Sequence, residues 1–257
     1  MNNMKTLIAV IAISLGTLSL QAQTKPAVKK TTTTKPAAKK PAFKKPATTV
    51  KPVAKPAAVK IPGTRIKVTT DSGTIIIRLY DKTPLHRDNF VKMVKEHFFD
   101  SLLFHRIIPS FMIQGGDPNS KYAPAGQQLG MGDVGYTIPS EFDTTLFHKK
   151  GALAAARQPD HVNPTKASSG CQFYIVQGKI WTDEELNMFE MQRGTKYSAA
   201  QRTLYKTVGG TAQLDMNYTV FGEVESGFEV IDKIATVPRD GANRPLGNIR
   251  MYIELQK

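Results

Sequence analysis

The stretch from Phe104 to Asp117 restricts the fold of this chain more than any other part of its sequence. Two short apolar segments are separated by the turn-forming pair Pro109-Ser110, and this pattern predicts two neighbouring strands. Arg106 lies on the first predicted strand and Gln114 on the second. A pair of glycines, Gly115-Gly116, then allows the backbone to leave the sheet.

The polar residues of this stretch indicate binding and not covalent chemistry. Strand alternation predicts that Phe104 and Arg106 share one face, with His105 and Ile107 on the other. The stretch brings a guanidinium, an amide and large apolar side chains to one patch, without a nucleophile or a set of metal ligands. Such a patch suits an apolar residue whose backbone accepts hydrogen bonds.

Alternating apolar and polar residues dominate the chain from Thr64 onwards and predict a mainly β fold. Pro84 opens a predicted helix, and a second short helix is predicted from Phe228 to Ala235. Many strands with only two core helices favour a closed antiparallel barrel capped by helices, with a flatter α+β sandwich as the alternative. Strands are predicted at 66–70, 74–80, 102–107, 111–114, 151–157, 172–177, 218–224 and 249–255.

The segment 181–213 interrupts this run of strands and is predicted to be an inserted helical hairpin. It contains two helical runs, each opened by a capping box, Thr182 with Glu185 and Ser198 with Gln201. Gly209-Gly210 is expected to end the second run. The segment also carries the only tryptophan of the chain, Trp181.

The stretch 104–117 resembles the signature of cyclophilin-type peptidyl-prolyl isomerases, and three further segments (151–157, 169–175 and 214–222) extend the resemblance in the family's order. The resemblance implies a closed eight-stranded antiparallel barrel with two capping helices. It also implies rotation of Xaa-Pro bonds in unfolded or extracytoplasmic client proteins. A peptide-binding or chaperone module with incidental isomerase activity is the alternative, with the inserted hairpin as extra contact surface.

The resemblance makes Arg106 the catalytic side chain and implies no cofactor, metal or covalent intermediate. Gln213 departs from the eukaryotic cytosolic pattern, which has a tryptophan there, and Tyr218 replaces a histidine. These departures leave peptide isomerisation in place and predict weak cyclosporin binding. The implied substrate-binding residues are Phe111, Met112, Gln114, Ala156, Arg157, Tyr174, Leu214 and Tyr218, with the backbone near Ala156 and Arg157 holding the peptide.

The basic charge of the chain is concentrated near its N-terminus. The formal net charge is +14, and residues 1–60 hold twelve lysines and no acidic residue, so 14 − 12 leaves +2 for 61–257. Lys5 and the apolar run up to Leu20 predict a signal peptide over 1–23, with an uncleaved anchor as the alternative. Residues 24–60, rich in Lys, Pro and Ala, are predicted to be a disordered linker before an isomerase domain at 61–257.

These features predict an exported monomer, periplasmic or otherwise extracytoplasmic, with proline-containing polypeptides as substrates. The Lys-rich tail is either a simple tether or a contact to an anionic cell-envelope surface, and no specific nucleic acid and no membrane span after signal removal are expected. Cys171 is expected to be buried and inert. His86, His97, His148 and His161 are expected in solvated or capping roles, and His105 in the barrel wall.

Overall fold

The structure is a computed structural model in which residues 63–194 and 196–256 are described. The predicted signal peptide (1–23) and linker (24–60) lie outside the described residues. Short 3₁₀ helices cover Pro118–Ser120 and Ala212–Leu214. The other elements are β1 (Arg65–Thr70), β2 (Gly73–Leu79), α1 (Pro84–Lys95), β3 (Arg106–Ile108), β4 (Met112–Gly115), β5 (Thr137–Ile138), β6 (Ala152–Ala155), β7 (Ser168–Ser169), β8 (Phe173–Val176), α2 (Asp183–Arg193), α3 (Ala199–Thr207), β9 (Val220–Ser226), α4 (Phe228–Ala235) and β10 (Tyr252–Leu255).

Eight strands form one antiparallel sheet in the order β10-β1-β2-β9-β6-β8-β4-β3. The period-2 pattern of β2 determines which of its faces is buried. Ile75, Ile77 and Leu79 are fully buried, while the residues between them are more exposed. Helices α1 and α4 contact the sheet and contribute Phe90 and Ile231 to the same apolar core. The predicted mainly β fold is therefore confirmed.

The two edges of the sheet approach each other without forming a continuous ladder. In the described part of the chain, backbone pairing between them consists of one isolated bridge, Leu103 with Arg250, and of hydrogen bonds of neighbouring residues. The Ser101 amide donates to the Met251 carbonyl at 3.0 Å, and the Met251 amide donates to the Leu102 carbonyl at 2.8 Å. The sheet is strongly curled, and the predicted closed barrel is not confirmed.

Helices α2 and α3 lie between β8 and β9, where the hairpin is predicted, and both predicted capping boxes are present. The two helices contact each other through Arg202 on α3, which donates to Asp183 at the start of α2 at 2.9 Å and to Glu190 near its end at 2.9 Å. The pair has its own small core, separate from that of the sheet. This core is formed by Trp181, Leu186, Tyr205 and Ala212.

Four strands, β3, β6, β8 and β10, are shorter than their sequence patterns predict, and this changes which faces some residues occupy. Since β3 begins only at Arg106, strand alternation does not extend back to Phe104. Phe104 lies in the main core together with Ile107, so the prediction that it shares the face of Arg106 is wrong. The short pair β5–β7 was not predicted. Among residues 63–194 and 196–256, no helix is long and apolar enough to cross a membrane.

Candidate active site

Arg106 and Gln114 lie directly opposite each other on β3 and β4. The chain reverses between the strands through Ser110, whose φ of 60° is left-handed. Nη1 of Arg106 donates a hydrogen bond to Oε1 of Gln114 at 3.1 Å. Burial lowers the pKa of the Arg106 guanidinium from its ordinary value, and arginine nevertheless stays protonated at neutral pH. The site therefore holds a fixed positive charge with N–H donors.

The side-chain amide of Gln172, which is not among the predicted site residues, holds Gln114 in place. Nε2 of Gln114 donates to Oε1 of Gln172 at 3.0 Å. Nε2 of Gln172 in turn donates to the carbonyl oxygens of Gly130 at 3.0 Å and Gly132 at 2.7 Å. We call Gln114 and Gln172 the amide relay. Its hydrogen bonds determine that the side-chain oxygen of Gln114 faces Arg106. Gln172 lies two residues before Tyr174, so strand alternation was the signal that could have found it.

The predicted site residues surround one cavity of about 190 Å³. Its apolar wall combines two residues beside the β3–β4 turn, one aromatic ring from β8 and one leucine from the second 3₁₀ helix, while Arg106 and Gln114 form part of the polar wall. A cavity with apolar side chains on one wall and hydrogen-bond donors on another can hold a small apolar ring next to a polar backbone. The nine lining residues are Arg106, Phe111, Met112, Gln114, Ala156, Arg157, Tyr174, Leu214 and Tyr218.

Tyr174 is the buried aromatic ring of this cavity, with only 4% of its surface exposed. Its ring meets the ring of Tyr218 edge-on, with centroids 5.9 Å apart. The guanidinium of Arg157 covers the other ring of this pair, at 4.5 Å from the Tyr218 centroid, and donates to the Asn217 carbonyl at 2.7 Å. Burial raises the pKa of Tyr174 well above its usual value, so its hydroxyl remains protonated.

The backbone beside the cavity is only partly engaged within the protein. The amide of Ala156 donates to the Gln172 carbonyl at 2.9 Å, and the carbonyl of Ala156 accepts from the Ser169 amide at 2.8 Å. The N–H and C=O of Arg157 make no hydrogen bond among the described residues. Of the two residues predicted to hold a peptide by their backbone, Arg157 is thus the one with groups available.

A second, wider cavity of about 680 Å³ continues from the first. Gln114, Ala156 and Arg157 line both cavities, and Gln172 lines the wider one. Exposed Met131 lies on its wall, while Asp133 and Gln158 make other parts of the lining polar. The groove therefore extends beyond the space that one ring would occupy.

The buried histidines differ from the sequence expectation. His86 and His148 are buried and hydrogen-bonded, so the solvated or capping roles predicted for them are wrong. The ring nitrogens of His86 make hydrogen bonds with Glu141 at 2.7 Å and Ser168 at 2.9 Å. Those of His148 make hydrogen bonds with Asp215 at 2.7 Å and Tyr174 at 2.9 Å. In the described ranges, no group of three or more His, Cys, Asp or Glu side chains could hold a metal ion.

His105 and Cys171 have the burial that the sequence predicts. His105 is almost fully buried, and burial lowers its pKa to about 4. Burial also raises the pKa of the Cys171 thiol to about 11, so the thiolate is disfavoured and the thiol is unreactive near neutrality. Neither residue contributes a nucleophile or a base to the cavity.

Trp181 does not occupy the position that Gln213 leaves without an indole. It belongs to the core of the hairpin, where its ring meets Phe189 edge-on at 5.3 Å. Its Nε1 donates to the carbonyl of Gly210 at 2.8 Å. The side-chain oxygen of Gln213 is buried and has no hydrogen-bond partner among the described residues. Gln213, which precedes Leu214 in the chain, therefore supplies neither the area nor the N–H donor of an indole.

Comparisons with known proteins give one consistent result. The sequence profile of the family described as "Cyclophilin type peptidyl-prolyl cis-trans isomerase/CLD" matches residues 65–253. A Streptococcus pyogenes protein described as a bifunctional phosphatase/peptidyl-prolyl cis-trans isomerase is 36% identical over 69% of this chain and 35% of its own length. A Staphylococcus aureus protein described as a peptidyl-prolyl cis-trans isomerase is 30% identical over 70% of this chain and 85% of its own length. The chain thus spans about a third of the streptococcal relative.

Solved structures share the fold. A cyclophilin-type peptidyl-prolyl cis-trans isomerase from Cryptosporidium parvum has a TM-score of 0.55 at 20% identity, covering 76% of this chain and 98% of the other. The Cryptosporidium parvum protein crystallised in the presence of the dipeptide Ala-Pro has a TM-score of 0.53 at 20% identity, covering 75% of this chain and 99% of the other. The curled sheet with its helices is therefore the fold of these structures.

Proposed function

This chain belongs to the family of cyclophilin-type peptidyl-prolyl cis-trans isomerases, and we propose that Arg106 is the side chain with which it catalyses rotation about Xaa-Pro bonds. The observation that carries the proposal is the position of the Arg106 guanidinium, fixed by Gln114 on the wall of a cavity of about 190 Å³. That cavity otherwise presents mostly apolar side chains, which suit a proline ring. No covalent intermediate and no cofactor enter this mechanism.

The reaction requires a group that binds the twisted amide better than the planar one. Rotation about an Xaa-Pro bond is opposed by a barrier of ~18–20 kcal/mol, because amide resonance is lost. In the twisted state the prolyl nitrogen becomes pyramidal and regains a lone pair that accepts a hydrogen bond. A guanidinium N–H directed at this nitrogen stabilises the transition state more than the ground state, which lowers the barrier.

The remaining cavity residues bind and orient the substrate. Phe111, Met112, Tyr174 and Leu214 enclose the proline ring, while the carbonyl before it is free to rotate. The available N–H and C=O of Arg157 hold the peptide backbone beside the ring. The wider cavity of about 680 Å³ accepts side chains of residues next to the proline, which suits unfolded polypeptides as substrates.

A kinetic comparison of Arg106 variants tests this function. The wild-type protein, treated with a chelator, should accelerate cis-trans exchange of an Xaa-Pro peptide in an NMR exchange or protease-coupled assay. Arg106→Ala should lower kcat/KM at least ~100-fold, which corresponds to about 2.7 kcal/mol. Arg106→Lys is the charge-keeping control and should recover part of the loss, since a single ammonium lacks the planar fork of donors. Wild-type activity in a folded Arg106→Ala protein would contradict the proposed role.

We propose in addition that the protein is exported and acts as a monomer on client proteins outside the cytoplasm. Support comes from the sequence of residues 1–23, with Lys5 before an apolar run that ends at Leu20. Residues 24–60 then contain eleven lysines and no acidic residue, so we propose that this tail binds an anionic cell-envelope surface by counterion release.

Salt dependence tests the role of the tail. Mature protein should bind anionic vesicles, and the binding should weaken steeply as the salt concentration rises. A protein starting at Ile61, with a formal charge of only +2 by the count given above, is the matched control and should bind weakly at every salt concentration. Equal binding by both proteins would assign the affinity to the folded domain and leave the tail as a tether.

A further inference from the structure

A continuous row of buried hydrogen bonds joins the inserted hairpin to the cavity. The hydroxyl of Tyr205, on α3, donates to Oδ2 of Asp215 at 2.5 Å. Oδ1 of Asp215 lies 2.7 Å from Nδ1 of His148, and Nε2 of His148 lies 2.9 Å from the hydroxyl of Tyr174. All four residues are buried, and Tyr174 lines the cavity. We call Tyr205, Asp215, His148 and Tyr174 the tyrosine relay.

The donors and acceptors of the tyrosine relay match at every link. The Asp215 carboxylate can only accept, so Nδ1 of His148 carries a hydrogen, and in the neutral imidazole Nε2 is the acceptor for the Tyr174 hydroxyl. Oδ1 of Asp215 also accepts the backbone N–H of His148 at 2.8 Å. Burial raises the pKa of both Tyr174 and Tyr205 well above the usual value, so both hydroxyls remain donors. The orientation of each side chain is thus determined by the next one.

The hairpin holds the far end of the relay rigidly. Tyr205 is fully buried in the hairpin core and meets the rings of Phe147 and Tyr197 edge-on, at 5.4 and 5.5 Å. Its carbonyl accepts from the Trp181 amide at 3.1 Å. Gly210 (φ 157°) then brings the chain against the segment before β6, where an added Cβ would collide with the His148 carbonyl oxygen. The Tyr205 hydroxyl therefore has a fixed position relative to Asp215.

We propose that Tyr205, Asp215 and His148 are positioning residues that hold the ring of Tyr174 against the substrate proline, so that the hairpin sets the shape of the proline cavity. The inference rests on the proposed placement of the proline ring in that cavity. Buried polar groups are costly unless every one is satisfied, and an apolar contact would suffice to attach a hairpin. A relay of four polar side chains that ends at the cavity instead controls the orientation of one ring.

Loss of the Tyr205 hydroxyl should change substrate binding and leave the chemical step unchanged. Without it, Oδ2 of Asp215 loses its donor, and the carboxylate, His148 and Tyr174 can rearrange. The cavity encloses the proline ring in the planar and the twisted state alike, so looser enclosure weakens both states equally. Tyr205→Phe should raise KM about fivefold and keep kcat within about twofold of the wild type.

Tyr197→Phe is the matched control for this variant. Tyr197 precedes α3, and its hydroxyl donates to the Ala212 carbonyl at 3.0 Å, which also accepts from Arg193 at 2.7 Å. This substitution removes one hydroxyl from the same hairpin without breaking the tyrosine relay. Thermal unfolding of both variants should show similar small losses, and Tyr197→Phe should keep the wild-type KM.

A double-mutant cycle and NMR complete the test. In a Tyr174→Phe background the relay no longer reaches the cavity, so adding Tyr205→Phe should leave KM within about 1.5-fold. In the free full-length protein, Tyr205→Phe should shift the ring resonances of Tyr174, and Tyr197→Phe should not. Unchanged Tyr174 resonances in Tyr205→Phe, equal KM values for the two hairpin variants, or an undiminished effect of Tyr205→Phe in the Tyr174→Phe background would overturn the relay. A wild-type protein without isomerase activity would instead contradict the proposed function, while the resonances still report on the relay.

Discussion

Two walls of the cavity of about 190 Å³ are supported in different ways. On one wall, Arg106 is held by Gln114 and Gln172, and this amide relay ends at backbone carbonyls of the loop at 130–132. On the other wall, Tyr174 is held by His148 and Asp215, and the tyrosine relay ends at Tyr205 on α3. The first support lies within the curled sheet and its loop, and the second depends on a helix between β8 and β9.

The difference between the two supports corresponds to a division of labour in the proposed mechanism. The guanidinium interacts most strongly with the twisted amide, so its exact direction affects the rate of rotation. The Tyr174 ring contacts the proline in both states, so its position affects binding. We therefore expect substitutions that break the amide relay to lower kcat, and substitutions that break the tyrosine relay to raise KM.

The largest expected effect concerns the histidine beside Arg106. His105 has a pKa of about 4, lowered chiefly by burial and opposed in part by Asp117, while an unfolded chain titrates near the ordinary value of 6.5. Between these values the unfolded state binds a proton that the folded state does not, so stability falls as the pH decreases and is fully present above pH 6.5. The contribution lost by pH 4 is about 3 kcal/mol.

Chemical denaturation from pH 7 to pH 4 measures this effect by comparison with His105→Gln, which keeps a polar side chain without its titration. The difference in unfolding free energy between the two proteins should shift by about 3 kcal/mol against the wild type. A difference that stays constant over this range would show that His105 is protonated or solvated in the fold. The interior around His105 would then be less dry than its burial indicates.

A smaller effect is expected when the amide relay is broken at its second link. Gln172→Leu removes the acceptor of Gln114 and both bonds to the glycine carbonyls, so Arg106 loses its fixed direction. We expect kcat to fall ~30-fold with KM within about threefold, measured by NMR exchange. Gln172→Glu keeps the acceptor of Gln114 but turns a carboxylate oxygen towards the two glycine carbonyls, and it should lie between this variant and the wild type. A rise in KM at constant kcat would contradict the expectation that the amide relay affects the rate of rotation and not binding.

The smallest effect concerns the wall beside Leu214. Gln213 offers neither the area nor the N–H donor of an indole, and its buried side-chain oxygen has no partner in the described part of the chain. Gln213→Trp should therefore tighten cyclosporin binding about tenfold, measured by calorimetry. Gln213→Phe supplies a ring without the donor and should give a smaller gain. Tight binding by the unmodified protein would show that another ring occupies this space.

The sequence reveals the cavity residues better than their supports. Arg106, Phe111 and Gln114 lie within one short stretch whose strand pattern is local, so their common location follows from a single turn. The partners His148 and Asp215 are 67 residues apart, and nothing in their spacing indicates a hydrogen bond between them. Periodicity identifies which face of a strand a residue occupies, but it does not show which distant polar group satisfies a buried one.

Sheet closure illustrates the same limit. The strand patterns at 102–107 and 249–255 are apolar enough to predict two long strands that could pair. In the fold, β3 and β10 are shorter, and the segments before them meet through the Leu103–Arg250 bridge. Whether edge strands pair depends on the accumulated twist and register of all the strands between them, which no single segment encodes.

The role of Arg106 is tested most directly by measuring peptide binding and Xaa-Pro rotation separately in Arg106→Ala. NMR line shapes of an Xaa-Pro peptide, recorded up to saturation with the full-length protein, give the affinity and the exchange rate of the bound peptide separately. We predict that the bound-state exchange rate in Arg106→Ala is at least ~100-fold below that of the wild type, and that its Kd for the peptide is within about threefold of the wild-type value. An unchanged bound-state rate, with the lost activity explained entirely by weaker binding, would contradict the claim that Arg106 acts on the twisted amide.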